Sequence, residues 1–501
     1  MKVDEFMGNF ASMRPALLTC ALLLLSPAGA VCQSVVHYDL KVPGGTDAVF
    51  SKVRVVITLP ADARLSKAQF VMPRAIPMGY GRQMYDEFVT SVTARSREGS
   101  AVQVVRGQGP RWALTASRAD DPIGSIEYEV DLAAMEREVL AGGDSSRARP
   151  DFIGLMGYSV FAFLEGLETR SIELTIAPPS AHSDWPVLST LAPASPARAG
   201  TQTVRAQDFY ALADSQVWMG TGFSVRKLKG TPDLFLAVHA EGPYDADVMA
   251  PLAEDAYAAM IGYFGSAPFE HFTLMFDYLK PLSPRHTYGF SMEHLESATF
   301  GALATSALTR ASTDREKTPW RYNVAHHISH AWMPKRAYGE GYFPFRWELA
   351  PLIDSIWFAE GFGQYAAADA LSDVTPSANG SSYRERLVDA RFRNALAEMP
   401  GFLKAMPLVD LSRVASTVYS EDFRTGRTVF ARGGLMANEM DEKIRKESGG
   451  SKRLRDALRG LLAWSAREKR GFRIDELPAI FERPTGVDTR AVMERWLAPL
   501  K

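Results

Sequence analysis

The chain has 501 residues, of which 46% are hydrophobic and 23% are charged, and its 56 Lys and Arg residues nearly balance its 58 Asp and Glu residues. This length predicts two or three domains, and the hydrophobic fraction is sufficient for buried cores. The formal net charge of −2 argues against a nucleic-acid partner, because nucleic-acid surfaces on proteins are strongly basic.

The N-terminal residues predict export. Met13–Ala30 has a basic start, a short apolar core and a small-x-small end, so residues 1–30 are interpreted as a secretory signal peptide. The apolar core is too short to indicate a membrane span. Cleavage after Ala30 leaves Cys32 as the only cysteine, so no internal disulfide is expected. The residues before Cys32 fit a lipoprotein signal poorly, and a lipid anchor there is not expected.

The next part of the chain, residues 31–244, is predicted to be rich in β-strands. Short alternating or apolar runs are separated by Gly, Pro and Asp, and the clearest are SKVRVVITLP, SIEYEVDL, SIELTIAPP and DLFLAVHAEGP. The pattern favours a β-sandwich, with room for a second small β unit after the Pro-, Ala- and Ser-rich stretch 192–200. No catalytic constellation is visible in it, so we expect this region to frame one wall of a cleft.

Near residue 245 the hydrophobic period changes from two residues to three or four. Residues 245–265 predict a helix, residues 272–279 a strand, and residues 281–300 a loop that enters an edge strand. The stretch TPWRYNVAHHISHAWMP at 318–334 then predicts a helix, with Thr318 as its N-cap, Pro319 at its first position and Pro334 at its end.

Three of the nine histidines lie in that helix. His326 and His330 are four residues apart and so share one face, the spacing at which two imidazoles bind one Zn²⁺. His327 stands where the H-E-x-x-H pattern of zinc helices has a glutamate that takes a proton from zinc-bound water. The alternative is that these histidines pack or hydrogen-bond without a metal.

A third ligand is expected from a second helix, LIDSIWFAEGFGQYAAADAL, with Asp354 or Ser355 as its cap. Glu360 lies among its aromatic residues, where a carboxylate is costly unless it is paired or binds a metal. Gly361 and Gly363 each cost about 1 kcal/mol inside a helix, which indicates close approach to another element. A partly exposed glutamate on an amphipathic helix is the alternative, but a His-His-Glu zinc site is the more economical interpretation.

The motifs around these residues resemble a known family. H-H-I-S-H-A-W-M-P-K-R from His326, followed by W-F-A-E-G-x-x-x-Y from Trp357, is similar to the gluzincin metallopeptidases typified by bacterial glycyl aminopeptidase. The segment Y-G-F-S-M-E-H from Tyr288 resembles the Y-G-G-[LM]-E-H strand of that family. DFIGLMGYSVFAFLEG and ALADSQVWMG resemble its N-terminal domain, so the resemblance extends over most of the chain from about residue 35.

The resemblance implies an α+β fold with three parts. They are an N-terminal β-sandwich-like domain at 31–244, a thermolysin-like zinc-site domain at 245–375 and an α-helical domain at 376–501. It implies Zn²⁺ held by His326, His330 and Glu360.

The same resemblance implies a peptide partner. In that family the glutamate of the edge strand binds the free α-amine of the substrate, and the strand backbone pairs with the extended peptide. These roles fall to Glu293, with Gly289 and Met292 beside it. The alternative is a surface glutamate on an edge strand. Many relatives continue into a PDZ domain, and none is expected here.

Two residues depart from the family pattern. His327 replaces the general base, and Phe430 replaces a tyrosine whose hydroxyl stabilises the oxyanion. A positioned base contributes about 10²–10⁴-fold, and loss of one oxyanion donor costs about 10²–10³-fold, so losing both removes most of the useful rate even if the effects are not additive. Tyr419 is a weak candidate to replace the missing tyrosine.

Two hypotheses of different classes follow. The first is an exported pseudopeptidase, in the bacterial periplasm by analogy with the family, that binds peptide N-termini without cutting them. The second is an active zinc aminopeptidase in which His327 or another group acts as a non-standard base. A third is that the divergent helix binds no metal. The double substitution favours the first hypothesis.

Overall fold

A computed structural model of the chain describes residues 34–43, 50–139, 145–194, 198–349, 351–375, 381–419 and 422–500. The predicted signal peptide and Cys32 lie outside these residues. From Ser34 onward the chain forms one compact unit. Within the described ranges, no helix is long and apolar enough to cross a membrane.

The first part of the described chain is built of strands in two sheets. In chain order they are β1 (Val36–Lys41), β2 (Lys52–Thr58), β3 (Lys67–Val71), β4 (Val89–Ser96), β5 (Ala101–Arg106), β6 (Arg111–Thr115), β7 (Ile123–Asp131), β8 (Arg147–Arg149), β9 (Phe152–Met156), β10 (Phe163–Leu164), β11 (Ile172–Ala177), β12 (Pro186–Ser189), β13 (Arg198–Ala199), β14 (Gln202–Ala206) and β15 (Gln216–Gly220). A ten-stranded sheet has the order β10-β3-β6-β5-β4-β7-β2-β1-β11-β14, and a five-stranded sheet the order β13-β12-β15-β9-β8. Only β1 and β11 pair in parallel among the described pairs of these two sheets.

Alternation of apolar residues explains these strands. In β2, Val53, Val55 and Ile57 are buried while the residues between them are partly exposed, as expected for a strand with one face on a core. Residues of β1 and β7 in the large sheet share one buried apolar core with residues of β9 and β15 in the small sheet. Three of the four clearest predicted strands are confirmed here as β2, β7 and β11, and the fourth, DLFLAVHAEGP, is a strand of a further sheet.

A second five-stranded sheet carries the predicted edge strand. Its members are β16 (Phe223–Leu228), β17 (Asp233–Ala240), β18 (His271–Leu279), β19 (Gly289–Glu293) and β20 (Ser297–Leu303), in the order β16-β17-β18-β20-β19. Because β17 pairs in parallel with β18 over eight residues, this sheet begins at residue 223 and not at the predicted boundary near 245. The change of period there marks the crossover helix between two paired strands.

The described α-helices connect and cover these sheets. They are α1 (Leu132–Glu138), α2 (Gly157–Val160), α3 (Phe209–Ala213), α4 (Ala246–Phe264), α5 (Asp314–Ser329), α6 (Gly363–Val374), α7 (Tyr383–Leu387), α8 (Asn394–Glu398), α9 (Gly401–Lys404), α10 (Leu408–Val418), α11 (Phe423–Glu447), α12 (Leu454–Glu468), α13 (Leu477–Thr485) and α14 (Arg490–Leu497). The chain is therefore a mixed α+β protein with a large sheet and a helical C-terminal part, as predicted.

The histidine helix α5 begins earlier than the sequence predicted. Its N-cap is Thr313, whose backbone N–H donates to the Glu316 carboxylate at 2.7 Å in a capping box. Thr318 is therefore not the cap, and Pro319 lies inside the helix, because the capping box stabilises a start one turn upstream. The helix ends at Ser329, with His330 as a C-cap of right-handed helical conformation, so the two predicted ligands keep their shared face.

The second predicted helix contains a wider turn. Residues Trp357–Phe362, named here the Glu360 turn, form a π-helix that continues into α6. The N–H groups of Phe358 and Ala359 donate to the carbonyl of Ser355, so the backbone, and not the Ser355 side chain, starts the helix. Turns of this type are rare and frequently lie at functional sites.

The glycines of this segment permit the close packing that the sequence indicated. A Cβ on Gly361 would lie 2.5 Å from Cα of Gly433 in α11, and a Cβ on Gly433 would overlap the carbonyl oxygen of Trp357. A Cβ on Gly363 would lie 3.1 Å from Ser329 Oγ. The Glu360 turn therefore contacts α11 backbone to backbone, and the start of α6 packs against the Ser329 side chain of α5.

We expect Gly433→Ala to destabilise the protein by at least about 2 kcal/mol, because the added methyl group overlaps backbone that has no room to move. Urea unfolding followed by circular dichroism measures the change. Gly401→Ala is the control, since a Cβ there meets no atom within 4 Å. Equal stability of the two variants would contradict the close crossing.

Candidate metal centre and active-site cavity

Two imidazoles and one carboxylate meet between α5 and the Glu360 turn. His326 Nε2 lies 3.3 Å from His330 Nε2 and 3.3 Å from Glu360 Oε2, and His330 Nε2 lies 3.7 Å from the same oxygen. All three side chains are buried. The structure therefore brings together the three residues that the sequence indicated as ligands.

The donor set fits zinc. In a tetrahedral Zn²⁺ site with bonds of about 2.0–2.1 Å, the ligand atoms are about 3.3 Å apart. Two of the three distances here equal that value, and the third, from His330 Nε2 to Glu360 Oε2, is 3.7 Å. Among the described residues, no Lys or Arg forms an ion pair with Glu360, and the two imidazoles are its only ion-pair partners. A buried carboxylate without a cation is unfavourable, and a bound metal would supply that cation.

Neighbouring groups orient the imidazoles. His330 Nδ1 lies 2.7 Å from the carbonyl oxygen of Met333, so its N–H donates there and leaves Nε2 for the metal. His326 Nδ1 has no hydrogen-bond partner within the described part of the chain. Burial lowers the pKa of His326 well below its usual range, and His330 and Arg391 lower it further, which favours the neutral form that binds a metal.

A cavity of about 550 Å³ lies over this site and contains the predicted amine-binding residues. Gly289, Met292 and Glu293 of β19 line it together with His326 and Glu360. Glu293 is 4% exposed, and burial raises its pKa, with His330 acting in the opposite direction. A buried carboxylate that faces a cavity gains stability from a cationic ligand group such as an α-amine.

The residue after Glu293 belongs to a buried ionic network. His294 Nδ1 lies 3.1 Å from Asp214 Oδ1, and Lys335 Nζ lies 3.0 Å from the same oxygen. Lys335 also donates to the carbonyl of Pro77. The His and Lys of the family-like motifs thus bind to residues of the N-terminal β region, and this network fixes the end of β19 that carries Glu293.

His327 lies in the cavity beside the two candidate ligands. Its Nδ1 lies 2.8 Å from the carbonyl oxygen of Asn323, so the N–H donates there and Nε2 remains an acceptor. Burial lowers the pKa of His327 well below its usual range, and His326 and His330 add to that effect. The ring is therefore neutral. This position holds an imidazole, where the zinc-helix pattern has a glutamate carboxylate.

Phe430 and Tyr419 also line the cavity. Their ring centroids are 5.9 Å apart, so Tyr419 lies near the position where the family has its tyrosine. A second phenol that sequence reasoning missed, Tyr80, lines the same wall with its ring 5.5 Å from that of Tyr419. Its hydroxyl lies 3.5 Å from the hydroxyl of Tyr342.

Two arginines were also missed. Arg391, in a second π-helical stretch at Val388–Arg393, and Arg427 of α11 both line the cavity. No local signal marks Arg391, because arginines alternate with acids along its segment as on a solvated helix face.

Comparisons with known proteins agree with this architecture. Residues 37–221 match the model of the Peptidase M61 N-terminal domain. An aminopeptidase N family protein from Idiomarina loihiensis superimposes with a TM-score of 0.80 at 16% identity, over 93% of this chain and 76% of that chain. An M1 zinc metallopeptidase from Deinococcus radiodurans gives 0.50 at 15% identity over 93% of each chain. A mutant of the latter bound to a Tyr-Ser-Ala substrate gives 0.51 at 14% identity, over 93% of this chain and 94% of that chain. No curated protein matches this chain.

These comparisons support a metallopeptidase-like fold. Residues 37–221 are similar to the M61 N-terminal domain, and the overall architecture resembles that of the M1 zinc metallopeptidase structures. Binding of zinc and the roles of individual residues stay predictions.

We expect the purified chain to hold about one zinc ion, and His326→Ala or Glu360→Ala to lose it, because each change removes one of three protein ligands. Metal analysis after purification without chelators measures the content. His327→Ala is the matched control on the same helix and should keep the metal. A metal-free wild-type chain would contradict the ligand assignment.

We expect Asp214→Asn to destabilise the protein by about 3 kcal/mol at pH 7, because it leaves Lys335 and His294 buried without their anion. Burial raises the pKa of Asp214, but Lys335 and His294 outweigh it and hold that pKa below its usual range. A carboxyl group whose pKa is lowered in the folded state stabilises the fold at pH values above its pKa in the unfolded chain, about 3.9. This stabilisation is lost as the pH falls through the pKa of the folded state. The difference between wild type and variant should therefore shrink below about pH 4.

Urea unfolding at pH 7 and below about pH 4 measures the difference in stability between wild type and Asp214→Asn. Asp184→Asn, at an exposed position, serves as the control and should leave stability unchanged. A pH-independent difference would show that the Asp214 charge does not act in the native network.

Proposed function

We propose that this protein binds the N-termini of peptides at a zinc site and has impaired peptide hydrolysis. The observation that supports this is the composition of one cavity, in which a His-His-Glu group and the buried Glu293 occur together with His327 and Phe430. The binding residues of an aminopeptidase are retained there, while the two residues expected to perform the chemistry are changed. The signal-peptide pattern supports export, with the periplasm as the proposed location.

The chain's own residues account for binding. His326, His330 and Glu360 would hold Zn²⁺, which would polarise a carbonyl group of the ligand. Glu293 would accept hydrogen bonds from the α-amine. Strand β19 lies at the edge of its sheet, and an edge strand offers backbone groups with which an extended peptide pairs.

The same cavity lacks two groups that hydrolysis requires. Among its described lining residues, Glu293 and Glu360 are the only carboxylates, and each already has a proposed role. Phe430 has no hydroxyl to donate to an oxyanion. Without a positioned base and this donor, most of the rate is lost.

A second candidate function, an active zinc aminopeptidase, rests on His327. Its Nδ1–H donates to Asn323, so its Nε2 lone pair is available in the cavity as a proton acceptor. Tyr419 and Tyr80 supply phenols near Phe430.

Binding and turnover together test the proposal. The zinc-loaded chain should bind Ala-Ala-Ala amide at least about tenfold more tightly than its N-acetylated form, because acetylation removes the charge that Glu293 binds. Glu293→Gln should abolish this preference. Glu296→Gln, a change outside the cavity-lining residues, should keep it. Equal binding of the two peptides by wild type would contradict the amine site.

Hydrolysis is measured on aminoacyl reporter substrates with His326→Ala as the blank. We expect little turnover by wild type or His327→Glu, and a clear increase when His327→Glu is combined with Phe430→Tyr, because both groups are then restored. Full turnover by the single His327→Glu variant would show that Phe430 is not limiting. Turnover by wild type, lost in His327→Ala, would establish the second candidate function.

A further inference from the structure

One wall of the cavity is cationic. Arg391 and Arg427 line it, and neither belongs to the metal centre or to the amine site. Arg427 has a carboxylate neighbour, Glu398, at 3.8 Å, but both side chains are largely exposed, where such a pair contributes little. Within the described part of the chain, no carboxylate forms an ion pair with Arg391.

Arg391 is held in place beside the metal centre. Its guanidinium carbon lies 4.8 Å from the ring centroid of Tyr322, and the Tyr322 ring lies parallel to that of His326 at 6.5 Å. The Tyr322 hydroxyl donates to Gln364 at the start of α6, which fixes the ring. Arg391 is exposed and also hydrogen-bonds to Tyr322. Because a guanidinium has five N–H donors, others remain for a bidentate anion.

The cavity therefore has two charged sides that come from different elements. Glu293 on β19 is suited to a cationic group, and Arg391 on the π-helical stretch is suited to an anionic one. A volume of about 550 Å³ lies within the range of pockets for small ligands, so one short ligand with charges of both signs fits this arrangement.

We propose that Arg391 binds a carboxylate of the same peptide whose N-terminus Glu293 holds. This inference rests on the proposed function and names its ligand class. The ligand is a short peptide whose carboxylate lies close to its N-terminus, supplied either by the C-terminus of a dipeptide or by an acidic side chain at the second residue. The carboxylate accepts N–H groups of the Arg391 fork, and Arg427 adds positive charge to the same wall.

Three peptides of one scaffold test the proposal by calorimetry on the zinc-loaded chain. Ala-Ala amide carries no carboxylate, Ala-Ala carries one at its C-terminus, and Ala-Asp amide carries one on its side chain. We expect at least one of the two acids to bind about tenfold more tightly than Ala-Ala amide, and the preferred acid identifies the source of the carboxylate. If the protein cuts any of these peptides, kcat/KM for each acid is compared with kcat/KM for Ala-Ala amide.

The variants test whether Arg391 binds the carboxylate, as opposed to the metal or the amine site. Arg391→Gln should remove the preference for the acid and leave the affinity for Ala-Ala amide unchanged, which also shows that the variant is folded. Arg393→Gln is the matched control, since Arg393 lies two residues further on, is exposed and pairs with Asp389, and the preference should survive there.

Equal binding of all three peptides by wild type, or a preference that survives in Arg391→Gln, overturns the inference. The latter result would mean that the metal or another group binds the acid. Failure of Ala-Ala amide to bind in a Glu293-dependent manner would instead overturn the proposed function, and this inference with it.

Discussion

The candidate site depends on the backbone contact between the Glu360 turn and α11. Because Gly361 and Gly433 lack side chains, the two segments approach until their backbones touch. This contact places Glu360 opposite the two histidines of α5 and brings the part of α11 that contains Arg427 and Phe430 to the same cavity. A larger residue at the crossing would push the Glu360 turn away from α11 and so disturb the position of Glu360.

The cavity contains candidate binding groups, but the two positions expected to perform the chemistry are changed. The histidines and Glu360 converge at distances that suit a tetrahedral cation, and their orientation is set by backbone contacts such as that of His330 with Met333. The position of the general base, however, holds an imidazole whose Nδ1–H is bound to Asn323, and Phe430 has no donor. Under the proposed function, the site keeps the groups that bind a peptide and lacks the usual groups that hydrolyse it.

The N-terminal β region contributes more than a wall. Asp214 binds His294 and Lys335, which belong to the two sequence motifs around the site, and Lys335 also donates to Pro77. Removal of one member of such a buried network leaves the others unpaired, so the position of β19 depends on residues of the first sheets. Tyr80, a few residues after Pro77, enters the cavity from the same region.

The sequence by itself predicted several of the elements and the group of three candidate ligands. Alternation identified strands such as β2, the i, i+4 spacing placed His326 and His330 on one face, and the glycines beside Glu360 indicated a close crossing, because these are local properties of the backbone. It misplaced the start of α5, because Thr318 followed by Pro319 is a plausible helix start, whereas the capping box of Thr313 and Glu316 lies further upstream. The positions of Asp214, Tyr80 and Arg391 at the site were decided only by the tertiary structure. Packing brings them there from distant segments, and the hydrophobic period of a sequence does not indicate which segments meet.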